Sequence, residues 1–134
     1  MDAEVAMARM RPWLAALAIV SLMAASTSAA ERVAFAHGMT SATLSGQVGE
    51  GRSYVLGAKA GQTMTVALKS TPDVYFNVMA PGNDTAIVNT SITGETTWSG
   101  KLPATGDYTV QVYQMRAAVR QGKNPKYAVT FTIH

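Results

Sequence analysis

Arg116 and Arg120 stand four residues apart at the end of an alternating stretch, Gly106-Asp107-Tyr108-Thr109-Val110-Gln111-Val112-Tyr113-Gln114. The alternation reads as a strand, and the residues after it hold no helix breaker before Gly122. Positions i and i+4 share one face of a helical turn. A turn over Met115 to Gln121 therefore aims two permanently charged, forked guanidiniums the same way. Such a pair suits carboxylates, which each fork engages through two parallel hydrogen bonds. The plainer reading is a solvated turn with two surface charges, because Arg-x-x-x-Arg alone carries little specificity.

The remaining chemistry-bearing residues form no constellation. His37 and His134 lie at opposite ends of the region after the leader, and neither is placed for a triad or a zinc site. With no cysteine, the nucleophiles are serines and threonines without a base. Asp73, Asp84 and Asp107 fall at strand starts and turns, where aspartate bonds its own backbone, and their spacing matches no calcium loop. Gly49-Glu50-Gly51-Arg52 lacks the lysine-serine pair and following helix of a phosphate loop. The sequence thus points to no enzyme, no cofactor and no metal. Its net charge of +3 is too diffuse for nucleic acid but favours encounter with an acidic cleft.

The first thirty residues read as a secretory signal peptide. Arg9 and Arg11 precede an apolar run from Pro12 to Met23, and small residues continue through Ala30. Ser28 and Ala30 suit cleavage before Glu31, and Ala34-Phe35-Ala36 offers a second cut before His37. Met7 or Met10 makes a better start than Met1, given Asp2 and Glu4. The run is short for a membrane span, and no thiol is available for a lipid. The expectation is an exported, unanchored protein of periplasmic or secreted location. Residues 31–134 then form one domain that must build a core without disulfides.

That domain reads as all-β, an antiparallel β-sandwich (jelly-roll-like) with one short helical turn near Arg116–Gln121. Met64, Val66 and Leu68 alternate with threonines, and Val74, Phe76 and Val78 repeat the pattern. So do Tyr108, Val110 and Val112, and again Tyr127, Val129, Phe131 and Ile133. Weaker strands fall at Ala42 to Val48 and Ser53 to Ala58. Period-two patterning with turn signals about every ten residues is the signature of a sandwich or barrel. Val66, Phe76, Val110 and Phe131 are assigned to the core. Tyr75, Asn77 and Met79 fall on the opposite, outer face of their strand. Trp98 sits in a loop or strand end, where tryptophan caps a core more often than it stacks on sugars.

Three segments carry a resemblance covering about ninety residues. They are Tyr54 through Val66 with its Ala58-Lys59-Ala60-Gly61-Gln62 turn, Gly82-Asn83-Asp84, and Leu102-Pro103-Ala104-Thr105-Gly106-Asp107-Tyr108. Together they resemble the bacterial pre-peptidase C-terminal type of β-sandwich and the periplasmic inhibitors of goose-type lysozyme. The second resemblance extends through Arg116 to Ile133: an Arg-x-x-x-Arg turn, a basic linker and a last Tyr-led strand. It implies a lysozyme as protein partner, with Arg116, Arg120 and Tyr54 facing the enzyme's cleft. Tyr54 is the tyrosine of the glycine-rich loop Gln47-Val48-Gly49-Glu50-Gly51-Arg52-Ser53-Tyr54. The alternative is a non-catalytic carbohydrate- or surface-binding module, using Trp98, Tyr75 and Tyr113 as stacking platforms.

Overall fold

The computed structural model describes residues 30–83 and 85–134. The leader read over residues 1–30 lies outside these except for Ala30, and Asp84 lies outside them as well. The described residues form nine strands and two short helices. They are β1 (Glu31–Arg32), β2 (Ser41–Gln47), β3 (Arg52–Ala58), β4 (Thr63–Ser70) and β5 (Val74–Met79). Then come β6 (Ala86–Asn89), α1 (Thr90–Thr93), β7 (Thr97–Lys101), β8 (Gly106–Gln114), α2 (Arg116–Arg120) and β9 (Lys126–Ile133). No helix among the described residues is long and apolar enough to cross a membrane.

Two sheets face each other, one ordered β1-β3-β8-β5-β6 and the other β2-β9-β4-β7. All pairings are antiparallel except the two-residue β1, which lies parallel to β3. The long strands form for the reason their alternation implies. Every second side chain enters the space between the sheets, where apolar burial drives association at roughly 25 cal/mol per Å². Val66, Phe76, Val110 and Phe131 are all fully buried there. Outward positions of the four-stranded sheet are small hydroxyls that pair across strands, as in Thr43 with Thr130 and Thr65 with Ser99.

Specific contacts close the two rims of the sandwich. Tyr108 is buried, and its hydroxyl donates to the Ala104 carbonyl at 2.6 Å while accepting from the Ala104 N–H. This pins the turn that launches β8. Trp98 packs against the core with its ring lying over Gly100, so a side chain at position 100 would collide with the indole. Trp98 thus caps the core while staying partly exposed.

The structure adds α1 to the single helical turn expected from sequence. Asn89 caps it by accepting from the Ser91 N–H, and Gly94 ends it in the left-handed region with φ of 78°. Buried Thr90 holds α1 to β5, accepting from the Phe76 N–H at 2.9 Å and donating to the Phe76 carbonyl at 3.1 Å.

Candidate functional site

Strand direction gathers four connections at one end of the sandwich. β2 ends there and β3 begins, β4 gives way to β5, β6 runs into α1, and β8 leads through α2 to β9. Of the nine lysines and arginines among the described residues, six belong to this end: Arg52, Lys69, Arg116, Arg120, Lys123 and Lys126. Glu50, Asp73 and Glu95 belong to the same end and offset part of this charge, leaving a positive excess for an approaching acidic partner to meet.

The arginine pair sits on α2. The Ala118 and Val119 N–H groups donate to the Met115 carbonyl, and Gly122, with φ of 77°, lets the chain turn away. One helical turn thus carries both residues, four positions apart on a common face. Arg116 and Arg120 are exposed. Among the described residues neither has a carboxylate partner, whereas Arg32 pairs with Asp107 at 2.7 Å and Arg52 approaches Glu31 at 3.6 Å. The Arg32 hydrogen bond holds the Asp107 carboxyl below its usual range.

Beside α2 lies the β2–β3 loop, residues 48–51, built by glycine. Gly49 has φ of 53° and Gly51 of 122°, conformations that other residues rarely adopt. The loop is stitched to the α2–β9 linker. The Gly49 N–H donates to Asn124 Oδ1 at 2.8 Å, and the Val48 N–H to the Pro125 carbonyl at 3.0 Å. The central fastening is Gln114, buried at the end of β8. Its Nε2 donates to the Gly49 carbonyl at 2.9 Å and to the Lys123 carbonyl at 2.7 Å. One amide thus joins the loop to the segment bearing the arginines. A cavity of about 520 Å³ under α2, lined by Asp73, Gln114, Ala118, Lys123 and Pro125, separates it from the β4–β5 connection.

Tyr54 is placed differently from the expectation. It is 1% exposed, in phase with Leu56 and Ala58, and its ring packs against Phe131. Its hydroxyl bonds that of Tyr127 inside the sandwich. Burial and this hydrogen bond push the Tyr127 phenol well above its usual range. Tyr54 therefore supports the loop end from below and presents no surface to a partner. Gln114, by contrast, was not singled out in sequence. Its signal was a polar residue at the inward phase of β8, in register with Val110 and Val112.

Beyond the loop end, about 710 Å³ of open groove is lined by Gly46, Gln47, Arg52, Lys69, Lys126 and Tyr127. Gly46 makes room for it, because a Cβ there would stand 3.2 Å from both Arg52 Nη1 and the Tyr127 hydroxyl. No group of three histidine, aspartate or glutamate side chains among the described residues is arranged to hold a metal.

A two-sheet sandwich whose glycine loop and paired arginines form one braced, cationic end has the construction of a protein-binding module. No protein-family model matches the sequence, and no curated protein matches it significantly. Solved structures do. Aeromonas hydrophila PliG, a periplasmic lysozyme inhibitor of g-type lysozyme, is 40% identical, with a TM-score of 0.71 over 78% of this chain and 96% of that one. The Salmonella Typhimurium PliG, described in the same terms, is 26% identical, with a TM-score of 0.63 over 81% of this chain and 100% of that one. The pre-peptidase C-terminal domain of a Bacillus anthracis collagenase shares the fold at 11% identity, with a TM-score of 0.54 over 79% of this chain and 95% of that one. The chain belongs to the PliG family of periplasmic inhibitors of g-type lysozyme. Its relatives there are inhibitors and not enzymes.

Proposed function

We propose that this protein, exported to the periplasm after loss of residues 1–30, inhibits a goose-type lysozyme by closing the enzyme's substrate cleft with its loop end. The observation that carries this reading is the exposed Arg116–Arg120 pair on α2, unpaired among the described residues and braced through Gln114 to loop 48–51. Lysozymes cleave glycosidic bonds with carboxyl groups set in a long groove. Guanidinium forks entering that groove meet carboxylates away from water, where paired charges are worth far more than on a free surface. The glycine loop fills space beside them and excludes the polysaccharide. Tyr54 contributes by fixing the base of this end, and Lys123 and Lys126 extend the positive field that draws an acidic cleft in.

The test titrates wild type, Arg116→Ala and Arg120→Ala against a goose-type lysozyme, with thermal melts alongside. Each truncation strands a partner charge and costs roughly 2–5 kcal/mol of binding, about thirtyfold to several-thousandfold in affinity. Melting should barely change, because exposed charges add little to stability. Arg→Lys also weakens inhibition, since lysine lacks the planar fork. Equal inhibition by wild type and both alanine variants sinks the arginine mechanism.

A further inference from the structure

The outer face of the five-stranded sheet carries an arrangement that the arginine end does not use. Register sets Ser53 opposite Gln111, Gln111 opposite Asn77, and Asn77 opposite Asn89. One hydroxyl and three carboxamides thus form a single row across four adjacent strands, a span of about 14 Å. In the next row toward the loop end, Tyr75 stands directly opposite Tyr113. Their ring centroids are 6.0 Å apart and the rings are tilted by 43°. A recess of about 220 Å³, with Glu50 and Arg52 in its lining, opens beside Gln111 and Tyr113.

Asn77 Oδ1 in this row is buried without a hydrogen-bond partner. Such an acceptor costs stability, and its burial keeps it out of reach of a molecule docked on the face. Ser53 and Gln111, both half-buried, make no side-chain hydrogen bond among the described residues. Asn89 is engaged differently, accepting from Tyr113, the Ser91 N–H and the Ser91 hydroxyl, which fixes the Tyr113 ring in place. The face therefore combines oriented aromatic rings with unspent amide donors and acceptors.

Its chemistry selects its ligand. Neither row contains a charged side chain, and of the charges beside them Glu50 and Asp73 outnumber Arg52, so a polyanion finds no net counter-charge there. The carboxamides would lose their hydrogen bonds under an apolar surface. A carboxamide offers a donor and an acceptor side by side, which matches adjacent hydroxyls or an acetamido group. A tyrosine ring offers an apolar face with a polar tip, which matches the C–H face and hydroxyl rim of a sugar. We propose that this face binds a neutral glycan chain, with Tyr75 and Tyr113 stacking on sugar rings and Ser53 and Gln111 reading their polar substituents. A span of about 14 Å accommodates roughly three rings. This site is separate from the loop end and does not depend on lysozyme binding. With both, the protein would be held on a polysaccharide while its arginines face an enzyme.

The test titrates the 15N-labelled protein with β-1,4-linked tetramers of N-acetylglucosamine and of glucose. Binding of either should shift the backbone amides of Tyr75 to Asn77 and Gln111 to Tyr113. Tyr75→Ala and Gln111→Ala should each weaken it roughly tenfold or more, while Arg116→Ala binds as wild type. Gln111→Ala removes a half-buried polar side chain outside the core, so it decides the matter if Tyr75→Ala melts early. The proposal is overturned if neither tetramer moves those amides at millimolar concentration, if the shifts centre on α2, or if Gln111→Ala binds unchanged. A wild-type protein that inhibits lysozyme but binds neither tetramer refutes this site alone. The reverse result refutes the lysozyme reading alone.

Discussion

Replacing Gln114 by methionine separates the brace from everything it braces. The two side chains are similar in length and volume, and methionine packs adaptably, so little cavity forms. What disappears is the donor pair reaching the carbonyls of Gly49 and Lys123. An unsatisfied buried acceptor costs about 1–3 kcal/mol. Gly49 is half-buried and Lys123 is exposed, so water recovers part of that. A loss of about 1–2 kcal/mol is expected, seen as a fall in Tm on the order of 5–15 °C for a domain of this size. Inhibition should suffer more than folding. Once loop 48–51 is released from the linker, it must be reordered on binding at about 1–2 kcal/mol per residue. Two residues ordered in this way reduce affinity by roughly thirtyfold to a thousandfold. Urea denaturation measures the first effect, and titration against a goose-type lysozyme in a wall-lysis assay measures the second. Gln114→Glu should be worse on both counts, because it turns a carboxylate toward two carbonyls. If Gln114→Met inhibits like wild type while losing the expected stability, the loop and the arginines are not coupled through this amide.

Phe76→Ala and Phe131→Ala each empty a fully buried position and should cost roughly 3–5 kcal/mol by chemical denaturation. Losses below about 1 kcal/mol for both would contradict their place in the core. Thr90→Val keeps the shape of the side chain but leaves the Phe76 N–H and carbonyl unpaired, so about 2 kcal/mol should be lost on the same measurement. Tyr127 holds its proton more tightly folded than unfolded, so its contribution is complete below pH 10 and declines as pH rises through the folded value. Melting across alkaline pH should show that decline, and Tyr127→Phe should flatten it while lowering stability by about 1 kcal/mol at neutral pH.

The sandwich was legible wherever alternation ran for six residues or more. The strands around Val66, Phe76, Val110 and Phe131 lie where their pattern put them, because burial rewards one phase and penalises the other. Shorter elements were not legible. β1 pairs through two residues, too few to have a period. In β7, Gly100 interrupts the inward phase because the Trp98 ring occupies the space of its missing side chain. α1 is four residues long, and its signals were the caps Asn89 and Gly94, not any periodicity. The site was half legible. The arginine spacing predicted the turn that carries both side chains. Tyr54 was read as part of a loop, although its alternation with Leu56 and Ala58 already placed it indoors. Gln114 was overlooked because a single glutamine at an inward phase gains meaning only when the carbonyls it must satisfy come from loops distant in sequence.

The position of β9 governs when this molecule can fold. It lies between β2 and β4, pairing Thr132 with Ser41 on one side and Phe131 with Val66 on the other. Until residues 126–133 arrive, both neighbours have an unsatisfied edge and the core lacks Tyr127, Val129, Phe131 and Ile133. Pairings separated by up to 91 positions must close large loops before any contact compensates, which slows folding. A chain emerging from its amino terminus thus stays open until its last strand is delivered. A chain truncated before residue 126 should accordingly fail to close the four-stranded sheet, however complete its other strands.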